Sequence, residues 1–544
     1  MYFSVFERER LLQVVQQETY DVIVIGGGIT GAGVALDAVT RGLSVLLLEM
    51  QDFAEGTSSR STKLVHGGLR YLKQLEVREV AELGRERAIV YENGPHVTTP
   101  VWMLLPFHKG GTFERFTTSL GLKVYDVLAG VKKEERRFML SRDQTIEHEP
   151  LVKTDGLLGG GVYVEYLTDD ARLTIEVLKA AIEKGATAFN YMKVVGLQTK
   201  NVAYTAVEAL NQLTGETHYF KAKKIINAAG PWVDHVRKLD GELANKHMIL
   251  SKGVHLVFDQ SVFPLQQAIY FDTEHDGRMI FAIPRAGKTY VGTTDTFYEG
   301  DPLQLTVTEE DKTYIIEAIH YMFPTLSITK EDIESSWAGV RPLIHEEGKG
   351  PSEISRKDEI WQSNSGVITI AGGKLTGYRK MAENIVDLVV KQLAKEYNLT
   401  FRPCITKKLP ISGGEISGSK HFDTFFERKV EQAMQYGLTE QQTGQMVRFY
   451  GTNIDRLLSF VQPHAEMPPY LFAQLQYALH YESVAKPVDF FVRRTGYVFF
   501  DLPLVEQYAD AVVQEMARQL LWTDQQMHKE QEHLQDAIQL AKTT

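Results

Sequence analysis

Apolar residues along this chain fall into short runs that end abruptly at glycine, alternating with stretches of helical spacing. Residues 20–25 (YDVIVI) are apolar and β-branched and stop at Gly26-Gly27-Gly28, which predicts a buried parallel strand entering a tight turn. Residues 29–41 follow with helical spacing. Residues 43–48 (LSVLLL) predict a second buried strand that ends at Glu49, so the first fifty residues read β-α-β. Ahead of them, residues 1–19 read as a short amphipathic lead-in with Phe6, Leu12 and Val15 as its apolar face. Farther on, 170–184 is helical. Residues 193–207 and the stretch to 222 read as strands with a hairpin near Thr214-Gly215. Residues 224–228 and 367–371 are buried strands, 250–300 holds several alternating strands, and 374–395 is helical. Pro403, Pro410 and Gly413-Gly414 mark a linker, after which only helical patterns remain, for example 470–482 and 503–521. The expected architecture is therefore α/β and α+β, with interleaved domains in 1–395 and an all-helical domain in 396–544.

Composition narrows the function. A chain of 544 residues is long enough for two to four domains. Its 59 Lys+Arg against 70 Asp+Glu, a net charge of -11, argue against nucleic acid as a partner. A single cysteine, Cys404, excludes an intramolecular disulfide, a CxxC redox pair and a cysteine-based zinc site, and no metal site is expected. The N-terminus carries four charges by residue 10, which is not a signal-peptide pattern, and no run approaches the ~18–20 apolar residues of a spanning helix. The expected location is cytoplasmic, with any membrane contact made from the side.

The sharpest local signal is Gly26-Gly27-Gly28-Ile29-Thr30-Gly31, a G-x-G-x-x-G set between strand and helix. Gly26, Gly28 and Gly31 permit the tight turn and a close backbone approach to a pyrophosphate. Ile29 and Thr30 open the helix, whose free N–H groups favour an anion. Glu49, at the end of the next strand, suits ribose hydroxyls and disfavours a 2′-phosphate. Three further segments point to FAD rather than NAD. The hydroxyl-rich, cationic loop from Thr57, Ser58 and Ser59 to Lys63 can cover a pyrophosphate or ribityl chain. Asn227-Ala228-Ala229-Gly230-Pro231-Trp232 ends a strand in small residues that admit a flat ligand. Gly372-Gly373-Lys374-Leu375-Thr376-Gly377 opens a helix whose N–H groups can face the pyrimidine edge of a reduced flavin.

On these and longer motifs the chain resembles the FAD-dependent glycerol-3-phosphate dehydrogenases and the closely related glycerol-3-phosphate oxidases. The resemblance runs nearly full length through 56–72 (GTSSRSTKLVHGGLRYL), NAAGPW, SKGVHLVF, GTTDT, AGVRPL, PSEISR, AGGKLTGYR and, near the C-terminus, DFFVRRT. It implies a glutathione-reductase-like FAD domain, an antiparallel-sheet substrate domain and a helical C-terminal domain. It implies hydride transfer from C2 of sn-glycerol 3-phosphate to flavin N5, giving dihydroxyacetone phosphate. Electrons would leave for a membrane quinone, or for oxygen in the oxidase subgroup, with peripheral attachment at the inner face of the cytoplasmic membrane and a homodimer as further expectations. The oxidases carry a long insertion with no obvious counterpart between residues 300 and 375, which favours a dehydrogenase. Lys63, Leu64, His66, Gly67 and Gly68, within the first motif, are implied flavin contacts. Arg341, Arg356 and Lys374 match the phosphate-binding positions, and Arg70 and Tyr71 match other substrate contacts.

The chemistry agrees with those residue types. A phosphate of about −1.5 to −2 charge calls for several cations, preferably arginines that make forked contacts. His66 is the leading base for the hydroxyl proton. His255 is the second candidate, and Lys374 a third if its neighbours lower its pKa. Arg70 completes the expected catalytic set. Residues 107–138 interleave Lys109, Arg115, Lys123, Lys132, Lys133, Arg136 and Arg137 with aromatic and aliphatic residues, the pattern of either an interfacial surface or a packed helix with a charged face. Rival readings are an amine or amino-acid oxidase of similar fold, which needs fewer cations, and a non-catalytic FAD-binding scaffold, which needs no polycationic pocket.

Overall fold

The structure is a computed structural model that describes residues 3–67, 77–112, 136–201, 204–241, 246–346 and 358–542. Gly68, Arg70, Tyr71 and Arg356, and most of the 107–138 stretch, lie outside the described residues.

Two sheets organise the chain. In the first, Thr19–Ile25 lies between Val45–Leu48 and Thr217–Asn227, parallel to both. Thr187–Phe189 and Ile368–Ala371 extend it on either side, also parallel. The four residues of Val45–Leu48 are all buried, as a strand covered on both faces requires. Helix Ile29–Thr40 packs against helices Asp170–Glu183 and Tyr378–Tyr397 over this sheet. The expected strand over 193–207 is instead divided into Met192–Asn201 and Tyr204–Asn211, which pair antiparallel. The hairpin at Thr214-Gly215 joins Tyr204–Asn211 to Thr217–Asn227. In the lead-in, Leu12 and Val15 are buried in one core and Phe3 in another, but Phe6 is 41% exposed. Phe6 sits in a three-residue 3-10 turn that precedes helix Arg8–Val15, so it falls outside the helix's apolar stripe.

Among the described residues the second sheet has ten strands. Its long members are Thr98–His108, Leu157–Thr168, Lys246–Asp259 and Ile333–Glu346. The sheet expected to be antiparallel is mixed, because Ala268–Asp272 runs parallel to Thr98–His108. Between those two strands the chain leaves to build much of the first sheet. A long excursion of that kind is what lets a strand return in the same direction.

The period of two along these strands creates two cores. Met103, Leu105 and Phe107 face one side with Val257 and Trp337, while Leu104, Leu256 and Phe258 face the other. The second side is covered by helix Glu309–Met322 through Ile315, Ile319 and Met322. The first is covered by the C-terminal helices through Leu471, Leu475, Phe490, Phe499 and Met516. Residues on both sides of the 403–414 linker thus share one core. Among the described residues no helix is long and apolar enough to cross a membrane.

Charge also crosses that linker. Fully buried Arg172, on helix Asp170–Glu183, pairs with Glu176 and with Glu482 beyond the linker. Lys179 joins both carboxylates and donates to Tyr477 Oη at 2.7 Å. Against burial, which by itself would raise it, Arg172 and Lys179 hold the Glu482 carboxyl below the usual carboxylate range. Removing one member of such a set leaves its partners desolvated and unpaired. Glu482→Gln is expected to destabilise the protein by about 3–5 kcal/mol, read as a lower denaturant midpoint. An unchanged midpoint would show that the network does not hold the helices to the first sheet.

Candidate active site

The strand–turn–helix at residues 19–40 closes only with glycine at its crossing points. Gly26 has φ +113, and a Cβ there would lie 2.5 Å from the Ala228 carbonyl oxygen. A Cβ on Gly31 would lie 1.9 Å from the Gly26 carbonyl oxygen, and one on Gly28 3.0 Å from Ser58 Oγ. The helix that starts at Ile29 has no side-chain cap on Gly28, and the Ile29 N–H donates to Ser58 Oγ at 2.9 Å. Glu49 Oε2 accepts from the Gly27 N–H at 2.6 Å, and Oε1 accepts from the Gln51 N–H at 2.8 Å. Burial raises this carboxyl to about 7, against the pull of those two backbone bonds.

From this cradle a cavity of about 1180 Å³ runs between the two sheets. Its wall includes Gly26, Gly28, Ile29, Thr30, Glu49, Thr57 and Ser58, then Ala228, Ala229, Gly230 and Trp232, then Leu64, His66, Gly373, Lys374, Leu375 and Thr376. His255 and Arg341 line it too. The donors and shape fit FAD: glycine turns where a pyrophosphate must approach, a buried carboxylate for ribose, and small residues along the third segment. The Trp232 indole N–H, buried at this wall, has no partner among the described residues.

Four other expected residues stand behind the wall. Gly31 packs on Gly26. Ser59 is buried and donates to the Glu55 carbonyl at 3.5 Å. The Gly67 N–H donates to Glu165 Oε2 at 3.3 Å. Lys63 is 3% exposed, forms a 2.6 Å ion pair with Asp170 and lies 5.4 Å from the Trp337 ring. It ties the loop down rather than facing the cavity.

The reactive-looking end gathers imidazoles and cations. Thr376 locks the His66 turn from both sides, accepting from the His66 N–H at 3.1 Å and donating to its carbonyl at 3.0 Å. Burial, then Lys374, Arg341 and Arg87, hold the His66 imidazole well below the usual histidine range, so it is neutral at ordinary pH. His255 Nε2 is 3.0 Å from Thr62 Oγ1, and its ring stacks on Trp337 at 4.8 Å and 13°. It too is held neutral, by burial and then by Arg341 and Lys63.

Arg341 stands 3.4 Å from Asp295 Oδ1, and Ser251 Oγ donates to the same oxygen. Asp295 and Glu165, both at the cavity wall, were not singled out from the sequence. Glu165 Oε2 bridges the Gly67 N–H and the buried Arg87 guanidinium, the latter at 2.9 Å. A lone carboxylate inside the apolar run VYVEYL was the available signal. Among the described residues no cluster of His, Cys, Asp and Glu could hold a metal ion.

Known proteins agree with this geometry. Residues 21–379 match the FAD dependent oxidoreductase family, and residues 404–527 match the C-terminal domain of alpha-glycerophosphate oxidase. The chain is 57% identical to an aerobic glycerol-3-phosphate dehydrogenase of Staphylococcus aureus over 100% of its own length and 98% of that protein's. It is 58% identical to the Staphylococcus haemolyticus protein of the same name over 99% and 98%. The glycerol-3-phosphate dehydrogenase of Bacillus halodurans complexed with FAD superposes with a TM-score of 0.86 at 47% identity, covering 99% of this chain and 98% of that one.

A carboxyl near 7 makes nucleotide binding pH-dependent in a definite direction. Only ionised Glu49 can accept from two ribose hydroxyls, so binding releases a proton and strengthens as pH rises through about 7. FAD affinity of the apoprotein is expected to rise about tenfold from pH 6 to pH 8, read by quenching of flavin fluorescence, and Glu49→Gln is expected to flatten the dependence.

Proposed function

The chain belongs to the FAD-dependent oxidoreductase family, in its aerobic glycerol-3-phosphate dehydrogenase branch, and on that premise we propose that it oxidises sn-glycerol 3-phosphate to dihydroxyacetone phosphate and passes the electrons to a membrane quinone. One observation carries this reading. A neutral imidazole, His66, lies in the field of two cations, Lys374 and Arg341, on the wall of the same cavity that begins at the dinucleotide cradle. That is the charge a phosphorylated alcohol needs next to a proton acceptor.

Arg341 and Lys374 bind the phosphate, with Arg70 and Arg356 of the matching motifs completing the set. The guanidinium offers two parallel donors to the phosphate oxygens, and the ammonium acts as a point charge. FAD, when bound, supplies the acceptor for the hydride that leaves C2. His66 takes the hydroxyl proton. An imidazole buried among cations is a weak base by itself. Entry of a dianion offsets Lys374 and Arg341, which makes His66 more basic at the moment the substrate is in place. Glu165 and Thr376 hold the turn that carries His66, so the ring does not have to be ordered during the reaction. A quinone acceptor is dissolved in lipid, so this reading implies peripheral attachment of the working enzyme to the inner face of the cytoplasmic membrane.

Under argon, sn-glycerol 3-phosphate is expected to bleach the flavin band of the holoprotein, and glycerol or amino acids to leave it unchanged. A band that survives the substrate would sink the assignment. His66→Asn is expected to slow bleaching by about 10²–10⁴-fold with flavin retained. Arg341→Gln is expected to act mainly on KM. A short-chain quinone is expected to reoxidise the bleached protein much faster than air; equal rates would make the protein an oxidase.

A further inference from the structure

The C-terminal motif DFFVRRT has no part in the mechanism above, yet it is buried against the loop that covers the dinucleotide cradle. Residues Asp489–Arg494 form a π-helical turn, a geometry enriched at functional positions. Arg494 grips Asp52 with two nitrogens, Nη1 to Oδ2 at 2.7 Å and Nη2 to Oδ1 at 2.9 Å. Arg493 donates from Nε to Asp52 at 2.6 Å and from Nη2 to Asp489 at 2.8 Å, and its Nη1 pairs with Glu55. Glu55 in turn holds Arg60 at 2.9 Å.

The same loop is bolted to the strand that carries Arg341. Thr57 Oγ1 donates to the Val340 carbonyl at 2.6 Å, and the Arg60 carbonyl lies so close to Gly339 that a Cβ there would approach to 2.5 Å. A second route is aromatic. The Phe499 ring lies 5.4 Å from Trp337, Trp337 stacks on His255, and the Trp337 indole donates to the Ser61 carbonyl at 3.1 Å. Trp337, Gly339 and Arg341 alternate along one strand, so they share the face turned to this loop.

We propose that the helical C-terminal domain is a positioning element of the redox site: Arg493, through Glu55 and Asp52, sets the 52–63 loop over the flavin, and Thr57 passes that position to Arg341. Arg493 touches neither substrate nor the reacting atoms, so it is a positioning residue. Its loss loosens the flavin and the phosphate site together. The Arg341 part rests on the substrate reading given above; the flavin part does not.

The test uses full-length holoprotein. Arg493→Gln is expected to speed FAD release and to change the visible circular dichroism of the flavin, with release faster by roughly tenfold, in the range found for directly coupled neighbours. Arg493→Lys, which keeps the charge, is expected to recover part of both. Glu55→Gln shifts both in the same direction without touching the Arg494–Asp52 pair, and it decides the matter if Arg493→Gln does not fold. Thr57→Ala removes the bond to Val340 and is expected to raise KM for sn-glycerol 3-phosphate several-fold, and Thr57→Ser, which keeps the hydroxyl, is expected to restore it. Folded variants that release FAD at the wild-type rate with an unchanged flavin spectrum would overturn the proposal. If the wild type itself fails to bleach, the substrate reading falls, and FAD release alone judges the clamp.

Discussion

The 52–63 loop lies between the dinucleotide cradle, the substrate sheet and the C-terminal helices, and the site depends on its being held there. Its backbone is not relaxed. Ala54 and Lys63 both sit at positive φ, +65 and +56, where a side chain is costly unless the surroundings enforce it. The enforcing contacts come from three directions. The Ala54 N–H donates to the Gly27 carbonyl at 3.1 Å. Asp170 takes Lys63 and the Ser61 hydroxyl and N–H. Arg493 and Arg494 take Asp52 and Glu55. Buried ion pairs of this kind add little net stability because desolvation offsets their attraction. They do punish displacement, since a loop that shifts leaves charges unpaired in a dry interior.

The same economy of charge runs through the reacting end. The whole chain carries -11, yet Arg87, Arg341 and Lys374 all act on His66. Two carboxylates temper that cluster, Glu165 beside Arg87 and Asp295 beside Arg341. Each holds a cation or a turn in place. Burial and these cations together keep the imidazole uncharged.

The parts of this arrangement that were legible in the sequence are those carried by neighbours along the chain. The β-α-β opening and the glycine turns were readable because Val22–Ile25, Val45–Leu48 and Gly26–Gly31 each follow a local rule of burial or of steric room. The cations and histidines at the cavity wall were readable because long motifs mark them. Phe6 was misjudged because a short turn precedes its helix. The parallel pair in the second sheet was hidden because it joins strands far apart in the chain. Lys63 looked like a cavity-facing cation until Asp170, more than a hundred residues away, took it. Glu165 and Asp295 went unmarked because their partners, Arg87 and Arg341, lie on other elements.

Composition, spacing and motif were enough, with no coordinates, to point to a dinucleotide cradle, a flavin as its occupant and a helical C-terminal part. Those depend on steric and charge requirements that a few consecutive residues satisfy by themselves. Tertiary structure alone decided which charges are spent inside the protein and which face the cavity, that one core of the second sheet runs across the linker, and that a C-terminal turn reaches back to the flavin loop. A salt bridge or a shared core is a relation between residues that only folding brings together, and no local pattern encodes its distance.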